Sequence, residues 1–250
     1  MNQTVQSLCG KLVASCQAFP GSPLYGSEFI AAFAKCAERG GAGGIRACWA
    51  ENIRAVKAAV NLPVIGINKV TEGEAMRPDR VYITPSFEAA VDVIEAGCDV
   101  LGMDMTPRGR SWSEIGALVE RIKKAYPDLP IMADISTLEE GVMAERLGAD
   151  IVSTTLSGYT LESIRQMSGD IGELLAAYKK TGEIPEFPPD YALIAALKER
   201  IQVPVNAEGR FWERAEVQKG FVLGADMVTI GAAITAPEAI TKRFVHAISE

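Results

Sequence analysis

Four segments of the chain stop a helix-like run at glycine, make a short polar turn and enter a β-rich apolar run. They are "AERGGAGGIRA" (37–47), "IEAGCDVLGMD" (94–104), "AERLGADIVSTT" (144–155) and "FVLGADMVTIG" (221–231). Glycine just past a helix end is the usual left-handed cap. Three of the four place an aspartate before the strand: Asp99, Asp150 and Asp226. Between them fall "VNLPVIGI" (60–67), "YPDLPIMADI" (126–135) and "IQVPVNAEG" (201–209), where a proline precedes the strand. There its missing N–H does least harm. The two kinds alternate, and "GKLVASCQ" (10–17) in front brings the strands to eight. Helix-period segments such as "SFEAAVDVIEAG" and "TLEEGVMAERLG" separate them. Both open on Ser or Thr with Glu in the first turn, as helix starts do.

Eight strand–helix units in 250 residues predict an α/β fold, a (β/α)8 TIM barrel, as a single domain over 1–250. The apolar runs are continuous, as buried parallel strands require. An open doubly wound sheet is the competitor. It expects a glycine-rich first turn, whereas the first strand here ends in "SCQAFPG". Residues 161–190 read as an insertion, with "MSGDIGELLAAYKKTGEIPEFPPD" (167–190) a helix followed by a proline-rich loop. Its "LLAAY" and "IPEFPP" runs offer apolar surface and predict a homodimer.

The net charge of −7 and the lack of a basic run argue against nucleic acid as a partner. No apolar run reaches the roughly 20 residues of a membrane span. The N-terminus does not read as a signal peptide. Five cysteines (Cys9, Cys16, Cys36, Cys48, Cys98) at irregular spacing predict reduced thiols and a cytoplasmic protein, with neither disulfides nor a zinc site. The single histidine, His246, speaks against a His-based triad or a multi-His metal site. With no dinucleotide fingerprint either, neither metal nor cofactor is expected.

Barrels of this kind keep their active sites at the C-terminal ends of the strands. The ends read as Gln17, Arg46, Lys69, Asp104, Asp134, Thr155, Glu208 and Gly231, polar or charged in seven of eight. Lys69 closes "LPVIGINK", an apolar strand that delivers an ammonium to a ring of polar groups. Each residue also has a plainer reading. Asp134 can cap the helix near Ser136 or Thr137, Glu208 can pair with Arg210 or Arg214, and Gln17 and Arg46 can be ordinary loop residues. "AEGR" and "IGAAIT" suggest an anion site after strands 7 and 8, built from Gly209, Arg210, Gly231 and Ala232. The hydroxyls of "IVSTTLSGYT" suit a polyol.

The segments "VASCQA", "GGIRA", "VIGINK", "YITPS", "MADISTLEEG", "STTLSGYT", "AEGR" and "GAAITAPEAITKRF" follow one another over nearly the whole chain. In these the chain resembles the N-acetylmannosamine-6-phosphate 2-epimerases of sialic-acid catabolism. The resemblance implies a cofactor-free inversion at C2 of an amino-sugar phosphate inside a (β/α)8 barrel. It also implies that Lys69 is the acid/base at C2, that Glu208 is the second catalytic residue, and that Gln17, Arg46 and Asp134 contact substrate. Asp104 and Thr155 join them as substrate-binding candidates by position. Two positions depart from the family pattern: Val70 stands where a second basic residue is usual, and Ala236 where an arginine helps hold the phosphate. Three alternatives stay open: the same inversion on unphosphorylated N-acetylmannosamine, a Schiff-base lyase or aldolase using Lys69 as nucleophile, and a non-enzymic sugar-binding barrel.

Overall fold

The strands of the computed structural model, which describes residues 1–70, 78–168 and 187–249, are β1 (Lys11–Cys16), β2 (Gly44–Cys48), β3 (Val64–Ile67), β4 (Val100–Asp104), β5 (Ile131–Asp134), β6 (Ile151–Ser153), β7 (Val205–Glu208) and β8 (Met227–Ile230). Each pairs in parallel with its neighbour in sequence, and β8 returns to β1 to close the ring. This is the expected (β/α)8 barrel. The helices are α1 (Gln3–Leu8), α2 (Ser27–Arg39), α3 (Ala50–Ala59), α4 (Phe87–Ile94), α5 (Trp112–Ala125), α6 (Leu138–Arg146), α7 (Leu161–Ser168), α8 (Tyr191–Arg200), α9 (Arg214–Val222), α10 (Ala232–Thr235) and α11 (Pro237–Ser249). Ser86 caps α4, and Thr137 with Glu140 forms a reciprocal capping box on α6.

The sequence repeat has a structural meaning. Gly97, Gly148 and Gly224 take φ of +93°, +102° and +100°, the left-handed caps expected after helices. The aspartate that follows then reaches back to the preceding strand. Asp99, Asp150 and Asp226 accept the first N–H of β3, β5 and β7, from Val64, Ile131 and Val205, at 2.8, 2.9 and 2.8 Å. Each also pairs with a lysine of the helix leading into that strand: Lys57 of α3, Lys123 of α5 and Lys198 of α8. The prolines keep an acceptor while lacking a donor. Pro63, Pro130 and Pro204 offer their carbonyls to Ile45, Leu101 and Val152 at 2.9, 2.9 and 3.0 Å.

Alternate residues of a strand point to the same side. Inside the barrel, Val13, Ile65, Val100, Met132, Ile151 and Met227 form an apolar plug, closed from below by Val5 and Leu8 of α1. Full burial of Leu8 contributes about 1.5–3 kcal/mol. Two residues further along, the side chains turn polar: Ser15, Asp134, Ser153 and Thr229 follow Val13, Met132, Ile151 and Met227. A polar layer therefore rests on an apolar plug.

Several strand ends differ from the sequence reading. β2 continues to Cys48, so Arg46 sits within the wall rather than at its end. β1, β3, β6 and β8 stop at Cys16, Ile67, Ser153 and Ile230, which leaves Gln17, Lys69, Thr155 and Gly231 just beyond them. Of the expected insertion, α7 is described; "LLAAY" and the first half of "IPEFPP" lie outside the described residues. Among the described residues no helix is long and apolar enough to cross a membrane. The outer part of α11 leaves Phe244 (72%), Val245 (51%) and Ile248 (85%) exposed.

Candidate active site

A cavity of about 970 Å³ opens at the C-terminal ends of the strands, above the polar layer. Lys69, Glu208, Gln17 and Thr155 line it. In a closed ring of eight strands, β3 and β7 stand opposite one another. Lys69, just past β3, and Glu208, the last residue of β7, therefore approach the cavity from facing sides.

Arg46 organises the floor. It is 1% exposed, and its guanidinium forks onto Asp134 at 2.9 and 2.7 Å. The same Nη1 donates to Glu208 Oε2 at 2.8 Å. Burial works against its charge, but Asp134 and Glu208 overcome this and hold the guanidinium above its ordinary pKa. Thr155 donates to Asp134 at 2.5 Å. Asp134 and Arg46 do not line the cavity; they lie beneath it and reach it through Glu208 and Thr155.

Burial raises the Glu208 carboxyl above its usual range. Arg46 opposes the rise, Asp134 adds to it, and Lys69 and the Thr155 hydroxyl oppose it. Lys69 is half-buried, and burial lowers its ammonium. The Cys48 thiol opposes that lowering, Arg46 reinforces it, and Glu208 and Asp134 oppose it. Among the described residues no carboxylate lies within ion-pair distance of Lys69; its Nζ instead stands 4.9 Å from the centre of the Phe19 ring. An amine pushed down and a carboxyl pushed up, across one cavity, suit acid–base work near neutral pH.

The backbone of Lys69 is held from β2. Cys48 Sγ accepts its N–H at 3.4 Å, and the Trp49 indole donates to its carbonyl at 3.0 Å. Trp49 takes a left-handed φ of 71° and meets Phe19 and Tyr25 edge-on. Such a φ is rare for a bulky residue. Here it turns the indole onto the lysine.

Gln17 donates to Ser15 Oγ at 2.7 Å, while its buried Oε1 has no partner among the described residues. An acceptor left so is costly until a ligand N–H or O–H fills it. Asp104 behaves differently. Its carboxylate accepts from the N–H and hydroxyl of Thr106 and pairs with Arg108, and Arg110 donates to its carbonyl. Burial raises its pKa against these partners. It does not line the cavity, so the structure sets it apart from the other candidates.

Of the anion-site candidates, Gly209, Arg210, Gly231 and Ala232 all line the cavity. Arg210 donates through Nε to the carbonyl of Pro188 and through Nη1 to that of Ser157, and lies over Tyr159. Gly158 takes a left-handed φ of +79°, which explains the glycine of "SGYT". Neither arginine pairing suggested for Glu208 forms; its partner is Arg46. Asp134 is likewise not a helix cap, since Thr137 fills that role for α6.

Reading only strand ends misses Ser153, Asn206 and Thr229, which face inward one layer down. The signal that finds them is the two-residue alternation of "IVSTT", "VNAEG" and "MVTIG".

The family model of NanE, described as "Putative N-acetylmannosamine-6-phosphate epimerase", matches residues 30–171 and 166–250. A protein of Caldanaerobacter subterraneus subsp. tengcongensis, named in the same words as a 2-epimerase, is 44% identical over 98% of this chain and 94% of its own. One of Shouchella clausii with that name is 36% identical over 99% and 100%. Among solved structures, the N-acetylmannosamine-6-phosphate 2-epimerase of Clostridium perfringens superposes with a TM-score of 0.82, at 34% identity, over 98% of this chain and 96% of that one.

Proposed function

We propose, since this chain belongs to the NanE family, that it interconverts N-acetylmannosamine 6-phosphate and N-acetylglucosamine 6-phosphate. The reaction removes and returns the proton at C2. The observation that carries the reading is the facing pair, Lys69 lowered and Glu208 raised, across one cavity. A C2 proton is acidic only beside a carbonyl, so the sugar reacts in its open-chain form. Neutral Lys69 takes the proton, and the electrons move to O1 as an enolate. Glu208 serves ring opening and the proton at O1, or supplies the second base. Gln17 Oε1 accepts an N–H or hydroxyl of the sugar. Arg46 acts from below by holding Glu208, and Asp134 by holding Arg46.

Backbone N–H groups of Gly209, Gly231 and Ala232 face the 6-phosphate, with Arg210 adding charge from behind. The reaction uses neither metal nor cofactor and belongs to sialic-acid catabolism in the cytoplasm. We further propose one barrel domain over 1–250 that forms a homodimer, supported by the exposed Phe244, Val245 and Ile248 of α11. A single monomer mass by light scattering at micromolar concentration would remove the dimer.

Incubation with either sugar phosphate, followed by chromatographic separation of the epimers, tests the reaction. Appearance of the other epimer is expected. Cleavage of the sugar, with a borohydride-stable adduct on Lys69, would replace this reading with a lyase.

A further inference from the structure

The side chain of Glu208 is held by one oxygen only. Oε2 accepts from Arg46 Nη1 at 2.8 Å and from Asn206 Nδ2 at 3.2 Å, with the hydroxyls of Thr155 and Ser153 at 3.3 and 3.4 Å. Among the described residues no donor reaches Oε1, and Glu208 lines the cavity. Asn206 is fully buried, as are Ser153 and Thr229. Thr229 Oγ1 donates to Asn206 Oδ1 at 2.9 Å, and Asn206 Nδ2 donates to Ser153 Oγ at 2.7 Å.

The direction of this chain follows from its members. An ionised carboxylate only accepts. Thr155 therefore gives its proton to Asp134, and Ser153 Oγ, 2.7 Å from Thr155 Oγ1, donates to Thr155. Ser153 must then accept from Asn206. The amide of Asn206 has one orientation that works. Reversed, its oxygen would face Glu208 Oε2, acceptor against acceptor. Thr229 holds the working orientation by donating to Oδ1. The relay Thr229 → Asn206 → Ser153 → Thr155 → Asp134 thus crosses from β8 to β5, with one Asn206 N–H left for Glu208.

We propose that Asn206 is a positioning residue for the reaction: with Thr229 fixing its amide, it anchors Glu208 by Oε2 so that Oε1 alone is presented to the substrate. The inference rests on the epimerase reading for what Oε1 does, but not for how it is held. The charged groups bearing on Glu208 are Arg46 from β2, Asp134 from β5 and Lys69 beyond β3. Asn206 adds a neutral donor to that set. Its loss disfavours the carboxylate form.

Three variants and two readouts test this. Asn206→Asp keeps the shape, removes the donor and adds a like charge. Thr229→Val keeps the shape and frees the amide, and Thr229→Ser restores the hydroxyl. A hydrogen bond to a charged group predicts a fall in kcat of about ten- to a hundredfold for Asn206→Asp with KM little changed. A smaller fall is expected for Thr229→Val, largely recovered in Thr229→Ser. The carboxyl of Glu208, followed by carbon-13 NMR in glutamate-labelled protein and assigned with Glu208→Gln, should titrate at higher pH in Asn206→Asp and Thr229→Val. That second readout needs no turnover. Failure of the wild type to epimerise either sugar would defeat the functional reading alone. Unchanged titration of Glu208 in folded Asn206→Asp and Thr229→Val would overturn the inference whatever the substrate.

Discussion

The two ends of this barrel are built on opposite plans. At the N-terminal rim one device recurs three times: Asp99, Asp150 and Asp226 each accept the first N–H of the neighbouring strand and pair with a lysine of the helix before it. At the mouth no such device recurs. Even the two aspartates that end β4 and β5 differ in partners: Asp104 pairs with Arg108, and Asp134 with Arg46. At the bottom, where the chain only has to close, the same hydrogen bond serves at three of the eight crossings. At the mouth each group must do something different to one ligand. Among the described residues, only there do a lysine and a carboxylate move away from their ordinary pKa values toward each other.

That contrast is broken or sharpened by mutation. The largest effect belongs to the mouth. Lys69→Met should lower kcat by about 10³-fold or more, the worth of an acid–base group. Its melting temperature should stay near wild type. Near wild-type epimer formation by the folded variant would remove Lys69 from the mechanism.

Arg46→Gln should act on stability and activity together. It strands Asp134 as an unpaired buried charge, a loss of about 3–5 kcal/mol in urea unfolding. The guanidinium favours the Glu208 carboxylate and disfavours the Lys69 ammonium. Its removal therefore raises both groups, and both limbs of the kcat/KM profile should move to higher pH. Limbs that stay in place would show that Arg46 does not set these titrations.

A third substitution adds to the mouth. Ala236 lines the cavity between α10 and α11. Ala236→Arg should raise the preference for the 6-phosphate over the free sugar by about ten- to a hundredfold, as one charge-assisted hydrogen bond allows. The ratio of kcat/KM for the two sugars measures this, and an unchanged ratio would place the phosphate elsewhere.

The smallest effect on chemistry is expected at the bottom. Asp226→Ala deprives the Val205 N–H of its acceptor and Lys198 of its partner. Unfolding should become easier by about 1–3 kcal/mol. The half-exposed ion pair adds little to that. Turnover by the folded variant should match wild type; a large loss of kcat would contradict the separation of the two ends.

The bottom was the more legible end. Glycine caps, aspartates and prolines recur at fixed places, so their alternation predicts eight strands and closure before any contact is known. Which N–H each aspartate accepts was not legible, because the partner lies some 20 to 35 residues back along the chain. At the mouth, Lys69 and Glu208 were legible as charges ending apolar strands. Arg46 was legible as a residue but misplaced as a strand end, because the wall continues through the apolar Ala47 and Cys48. Asp104 shows the limit of reading ends alone. Its partners Thr106, Arg108 and Arg110 follow within six residues, and nothing in their spacing says that they turn back onto it. The homodimer expectation drew on residues 161–190, of which 169–186 lie outside the described residues; the exposed face of α11 was not anticipated.

The most direct test of chemistry at the mouth is proton NMR of N-acetylmannosamine 6-phosphate incubated with the enzyme in D2O. Proton removal at C2 predicts that the C2–H signal disappears as the second epimer forms, with deuterium in its place, and that Lys69→Met abolishes both changes. A C2 proton that persists through epimer formation, or that stays in a sugar never epimerised, would contradict the account.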